Sequence, residues 1–115
     1  MPSDATQRQP ARGEDPRDFA RELVSAAAAE YGRVRAATIR GVSAGLGASV
    51  SEAHTVLRAA VIAYAKALSD AGVPPESAVI EVRSAVDAAL RLDDLERRAC
   101  VGSTIRWTID TYNAV

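Results

Sequence analysis

Between Val50 and Ala71 the apolar residues recur with the period of an α-helix. The large side chains follow one another at steps of three and four residues, in the order His54, Leu57, Val61, Tyr64 and Leu68. This spacing places them on one face of a helix. A β-strand would need alternating apolar and polar residues, which this segment lacks. The segment therefore predicts a helix that must be covered along one face by other parts of the chain.

Local start and stop signals divide the chain into four predicted helices. Ser49 and Asp93 are each followed three residues later by Glu, which is the pattern of a helix N-cap. Gly72 is placed to end one helix, and Pro75 is placed to begin the next. The predicted helices span residues 17–39, 50–71, 75–91 and 94–113. Four amphipathic helices predict an all-α fold, a four-helix bundle.

The first sixteen residues differ in composition from the rest of the chain. They carry three prolines and several charges, and apart from Met1 no aliphatic side chain larger than Ala. Such a segment has little apolar surface to bury. We therefore expect a disordered tail over residues 1–16 and one helical domain over residues 17–115.

Charge and cysteine content indicate the compartment and the class of partner. The formal net charge is −1, so no overall positive excess favours nucleic acid. No secretory signal or membrane span is predicted. Cys100 is the single cysteine, which excludes an internal disulfide and fits a reducing compartment. We expect a cytoplasmic protein that does not bind membranes and for which nucleic acid is an unlikely partner.

No pattern in the chain predicts an enzyme. His54 is the only histidine and Cys100 the only cysteine, so neither a pair of histidines nor a set of cysteines can bind a metal. The glycine-containing linker at 41–50 lacks the Lys-Ser/Thr pair of a phosphate-binding loop. We expect no catalytic residues, no metal and no cofactor.

The fourth predicted helix suggests an interface. At helical spacing, one face of this helix is made by Leu95, Ala99, Gly102, Ile105, Ile109 and Tyr112. If this face lies in the core, Trp107 points away from it, since residues two apart are separated by 200°. Cys100 lies on the Trp107 side. A lone outward Trp is a candidate interface anchor, so Cys100, Trp107 and Tyr112 are the predicted interface residues. The alternative is that this helix is buried all round, or that the first helix covers Trp107.

A second hypothesis is DNA binding through residues 65–83. The Ala-Gly-Val sequence at 71–73 is typical of the turn in a helix-turn-helix motif. However, the helix that would read the bases begins with Glu76 and continues through Glu81, and acidic side chains repel phosphate. An antiparallel helical turn is the simpler interpretation.

A third hypothesis is phosphotransfer through His54. Phosphotransfer domains are helical bundles with one exposed histidine followed by a leucine and a lysine at fixed spacing. Here the cation, Arg58, lies four residues after His54 rather than three. A half-buried or capping histidine is the simpler interpretation.

Two segments carry a resemblance to other proteins. With Ala-Gly-Val-Pro-Pro-Glu at 71–76 and Arg-Trp-Thr-Ile-Asp-Thr-Tyr at 106–112, residues 55–113 resemble a group of small bacterial all-α proteins that have no assigned activity. Some of these are associated with genes for two-component signalling. The leading hypothesis is thus a non-enzymatic helical protein–protein interaction module linked to bacterial signalling or regulation. Its partner is another protein or a second copy in a homo-oligomer.

Overall fold

The part of the chain that the structure describes forms four α-helices. A computed structural model describes residues 15–39 and 49–114, and those residues contain no β-strand. The helices are α1 (Pro16–Ile39), α2 (Val50–Asp70), α3 (Pro75–Ala89) and α4 (Asp94–Asn113). The predicted all-α four-helix bundle is confirmed. The predicted tail at 1–16 lies outside the described residues except for Asp15 and Pro16, and most of the linker at 41–50 lies outside them too.

The predicted caps begin α2 and α4. The Ser49 Oγ accepts a hydrogen bond of 3.0 Å from the Glu52 backbone N–H, and Glu52 Oε1 accepts one of 3.1 Å from the Ser49 N–H. Asp93 Oδ1 accepts a bond of 3.0 Å from the Glu96 N–H. These bonds satisfy backbone donors that have no partner inside the first turn. Both helices therefore start where the local sequence predicts.

Gly72 ends α2 because it can adopt a left-handed backbone conformation. Its φ is +83°, which a residue with a Cβ adopts at a cost. The Gly72 N–H bonds to the Ser69 carbonyl at 3.0 Å, and the Val73 N–H bonds to the Leu68 carbonyl at 3.0 Å. This pair of bonds closes the helix end. α3, in contrast, ends at Ala89, two residues before the predicted boundary, because Leu90 is extended and buries its side chain in the core.

The core lies between the four helices. α1 packs along α2 and α3, and α4 packs along the same two helices. The face predicted for α2 is confirmed, since four of its members are buried: Leu57, Val61, Tyr64 and Leu68. They belong to a cluster with side chains from the other helices, including Val24, Ala28, Val82, Val86 and Cys100.

Gly32 allows α1 to approach the end of α3 closely. The helix continues through this residue to Ile39. A Cβ built on Gly32 would lie 3.1 Å from the Arg91 backbone nitrogen and 3.5 Å from the Leu90 side chain. Glycine has a low helix propensity, but at this position it permits a close approach that a larger residue would obstruct.

The face that α4 turns to the core is opposite to the predicted one. Thr104 and Thr108 are fully buried, and Cys100 is 7% exposed, whereas Leu95 is 77% and Ile109 43% exposed. The predicted core face was wrong because threonines, and not the Leu and Ile residues, take the buried positions. The Thr104 hydroxyl donates to the Cys100 carbonyl at 3.0 Å, and the Thr108 hydroxyl donates to the Thr104 carbonyl at 2.9 Å. Both hydroxyls are thus satisfied within the helix and can enter the core.

None of the four helices, as described by the structure, combines the length and apolar character that crossing a membrane requires.

Candidate functional site

The fold brings His54, Cys100 and Trp107 together. The ring centroids of His54 and Trp107 are 5.1 Å apart and the rings meet edge to face at 71°. The ring centroid of His54 is also 6.0 Å from that of Tyr31. These residues surround a cavity of about 180 Å³, the aromatic pocket, which is lined by Tyr31, Arg35, His54, Glu96, Ala99, Cys100, Ser103 and Trp107. α1, α2 and α4 each contribute to it.

The charged groups of the aromatic pocket pair with each other. The Arg35 Nε donates to Glu96 Oε1 at 3.0 Å, with about a third of each side chain exposed. The hydrogen bond to Glu96 raises the pKa of Arg35 above its ordinary value. Burial, followed by the nearby Cys100, raises the pKa of Tyr31. The ion pair joins α1 to the first turn of α4 and leaves the pocket with no unpaired charge from these two residues.

Cys100 is not placed to act as a nucleophile. Burial raises the pKa of its thiol from 9.0 to about 11, so the thiol stays protonated at neutral pH. The thiolate is the reactive form of cysteine. Within the part of the chain that the structure describes, no hydrogen bond joins Cys100 to His54, and no group of His, Cys, Asp and Glu side chains could hold a metal ion.

Trp107 and Tyr112 occupy different places along α4. Trp107 is half-buried and packs against the core cluster from the aromatic pocket. The Tyr112 hydroxyl donates to the Val73 carbonyl at 2.7 Å, so it fastens the end of α4 to the turn between α2 and α3. Of the three predicted interface residues, then, Cys100 and Trp107 share one pocket and Tyr112 lies outside it. Each of them has a structural role within the domain.

His54 lies next to two aromatic rings. It is half-buried, and the rings of Tyr31 and Trp107 both lie close to its imidazole. These contacts give the imidazole a packing role, and His54 also lines the aromatic pocket. Phosphotransfer through His54 stays a prediction.

The segment predicted as a helix-turn-helix forms the α2–α3 connection. α3 starts at Pro75 and exposes Glu76 in its first turn. The Tyr64 hydroxyl of α2 donates to Glu81 Oε1 of α3 at 3.1 Å. Burial, with the Glu81 carboxylate, raises the pKa of Tyr64 to about 12. Glu81 thus links the two helices, and an acidic residue occupies the helix start that would face phosphate.

An exposed surface on α4 carries the Leu and Ile residues that the helical spacing had assigned to the core. We call it the α4 outer face and define it by Leu95, Gly102, Ile105 and Ile109. Leu95, Gly102 and Ile109 are exposed and Ile105 is partly so. A pattern that could have revealed it is the second helical face of the same segment, at four-residue steps through Cys100, Thr104 and Thr108.

An open groove of about 330 Å³ runs between α3 and α4 beside the α4 outer face. It is lined by Arg83, Asp87, Arg97, Arg98, Val101, Gly102 and Ile105. The Arg97 guanidinium pairs with Asp87 at 3.4 Å and also with Asp94. Gly102 leaves the floor open, since a Cβ built there would meet nothing within 4 Å. The groove thus combines an apolar floor with charged edges.

Comparisons of the chain with protein-family models, with curated proteins and with solved structures gave no match.

Proposed function

We propose that the chain is a non-enzymatic helical protein–protein interaction module that binds its partner through the α4 outer face. One observation carries the proposal: α4 buries the polar Thr104 and Thr108 and leaves the apolar Leu95 and Ile109 in solvent. A helix in a single folded domain ordinarily turns its apolar residues inward. The reversed arrangement is accounted for if a second surface covers the outer face.

The arrangement of exposed apolar residues supports this proposal. Single exposed apolar side chains are ordinary on protein surfaces. Leu23, Val56 and Ile80 are of this kind, since each is exposed on a different helix. On α4, in contrast, Leu95 and Ile109 belong to one helical face that also includes Ile105. Burying one such side chain in an interface contributes about 1.5–3 kcal/mol, so several together can support binding.

In this proposal, the chain takes part in a bacterial regulatory system. Its partner is either another protein of that system or a second copy of this chain. Sedimentation of the purified chain separates the two cases. A concentration-dependent dimer that the double substitution Leu95→Ser/Ile109→Ser removes indicates self-association. A monomer at all concentrations indicates a different protein.

The test is affinity capture from the native host with three versions of the tagged chain. The unsubstituted chain and a Val56→Ser control should retain the same partner, because Val56 is 59% exposed on α2. The Leu95→Ser/Ile109→Ser variant should lose it while remaining helical by circular dichroism. Retention of the partner by the folded double variant would contradict the proposal, and so would equal loss in the Val56 control.

A further inference from the structure

We propose that the groove between α3 and α4 binds an acidic amphipathic helix of a partner protein. This inference rests on the proposed function and specifies the chemistry of the partner. The floor of the groove is formed by Val101, Gly102 and Ile105, and Ile109 lies one helical turn further along α4. A helix that lies along a groove inserts side chains spaced at i, i+3, i+4 and i+7.

The shape of the groove favours a helix as the occupant. It runs between two packed helices and is open to solvent, so a third helix can lie in it as in any helical bundle. Gly102 is exposed and would have no neighbour within 4 Å of a Cβ, so nothing there keeps a partner at a distance. An apolar anchor of the partner helix can therefore approach the α4 backbone closely.

The edges of the groove carry an excess of positive charge. Arg97 pairs with both Asp87 and Asp94, so these three groups together carry −1, and with Arg83 and Arg98 the sum is +1. Arg83 and Arg98 are both exposed, and within residues 15–39 and 49–114 neither forms an ion pair. Two arginines are thus available to carboxylates on a ligand, and acidic side chains flanking the apolar anchors would complement them.

The same charges disfavour the other occupants. In a two-fold symmetric dimer centred on the groove, each copy would bring Arg83 and Arg98 towards the same arginines of the other copy. Like charges placed opposite each other oppose association. Nucleic acid would gain from the arginines, but its backbone offers no apolar side chains to Val101 and Ile105.

The probe is a fluorescein-labelled designed peptide of roughly 18 residues, long enough to populate a helix. It carries Leu at the anchor positions and Glu at the flanking positions. A matched peptide has Lys in place of every Glu. Fluorescence anisotropy with the full chain should show that the acidic peptide binds about tenfold more tightly than the basic one, because two ion pairs favour it.

The charge-reversal variant Arg83→Glu/Arg98→Glu should weaken binding of the acidic peptide about tenfold and strengthen binding of the basic peptide. Arg58→Glu is the matched control, since Arg58 is an exposed arginine on α2, and it should leave both affinities unchanged. Circular dichroism checks that each variant is folded. If the double reversal does not fold, Arg83→Gln/Arg98→Gln replaces it, with a smaller loss expected.

The proposal is overturned if both peptides bind equally, if neither binds the folded chain, or if the arginine substitutions change nothing. A dimer that depends on the outer face, or a DNA duplex that binds more tightly than the acidic peptide, also overturns it in favour of that occupant. The proposed function and the acidic-helix proposal can be contradicted independently of each other. If native-host capture depends on Leu95 and Ile109 while the peptides show no preference, the module stands and only the acidic helix is wrong.

Discussion

Thr104 and Leu95 lie on opposite sides of α4, and it is the threonine that is buried. Thr104 has no exposed surface, whereas Leu95 is 77% exposed. The hydrogen bond from the Thr104 hydroxyl to the Cys100 carbonyl removes the cost of burying a polar group. The outer side of the helix therefore keeps Leu95 and Ile109 in solvent, and this placement is the basis of the proposed binding surface.

The first prediction compares the same substitution on the two sides of α4. Leu95→Asp should change the free energy of unfolding by less than about 0.5 kcal/mol, because the position is exposed and near a helix N-terminus, where acids are tolerated. Thr104→Asp should cost about 3 kcal/mol or more, since it places an unpaired charge in the core. Urea denaturation measures both. A large loss for Leu95→Asp with little loss for Thr104→Asp would show that α4 faces the other way.

The second prediction concerns two glycines inside helices. Gly102→Ala should raise the free energy of unfolding by about 1 kcal/mol, because it improves helix propensity and the new methyl group meets nothing. Gly32→Ala should give no such gain, since its Cβ would lie 3.1 Å from the Arg91 backbone nitrogen. The free energy of unfolding of both variants is measured in the same denaturation series, so that each variant serves as the control for the other. Equal stabilisation by both would rule out the close approach of α1 to Arg91.

Several helix boundaries could be predicted because they depend on neighbouring residues. The Ser49 capping box, the Asp93 N-cap and the left-handed Gly72 are decided within one helical turn. The buried face of α2 could be predicted as well, because most of its large apolar side chains lie on one side. These features follow from local backbone chemistry and from a strong helical period.

The facing of α4 could not be predicted in the same way. Its Leu and Ile residues lie on one side, and on the other lie Cys100, Thr104, Trp107 and Thr108, so both sides present a helical spacing. If the buried side is chosen by residue polarity, the choice is wrong, because the two threonine hydroxyls donate hydrogen bonds to carbonyls of their own helix. The aromatic pocket depends on contacts between residues far apart in sequence, such as His54 and Trp107, which one sequence does not reveal.

The third prediction concerns alkaline pH. The unfolded chain releases the Cys100 proton near the ordinary pKa of 9.0, and the folded chain releases it only near 11. Between these values the unfolded state binds fewer protons, so the free energy of unfolding falls as the pH rises. This contribution is complete below pH 9 and lost by about pH 11. Urea denaturation across this window should show a shallower fall for Cys100→Ala than for the unsubstituted chain. Identical slopes would contradict the burial of the thiol.

The fourth prediction assigns Trp107 to stability. Trp107→Ala should lower the free energy of unfolding by about 2 kcal/mol, less than for a fully buried Trp because the ring is half-buried. Trp107→Phe should lose less, since it keeps an aromatic ring against His54. Partner capture by the folded Trp107→Ala variant should be unchanged. Loss of capture without loss of stability would instead place Trp107 in the interface.

Site-specific photocrosslinking in the native host tests the central claim most directly. A photoreactive amino acid is placed at position 95 or 109 on the α4 outer face and, as a control, at position 56 on α2. The account predicts that positions 95 and 109 crosslink to the same protein, identified by mass spectrometry, and that position 56 does not. The same product from position 56, or no product from positions 95 and 109 in a folded chain, would contradict it.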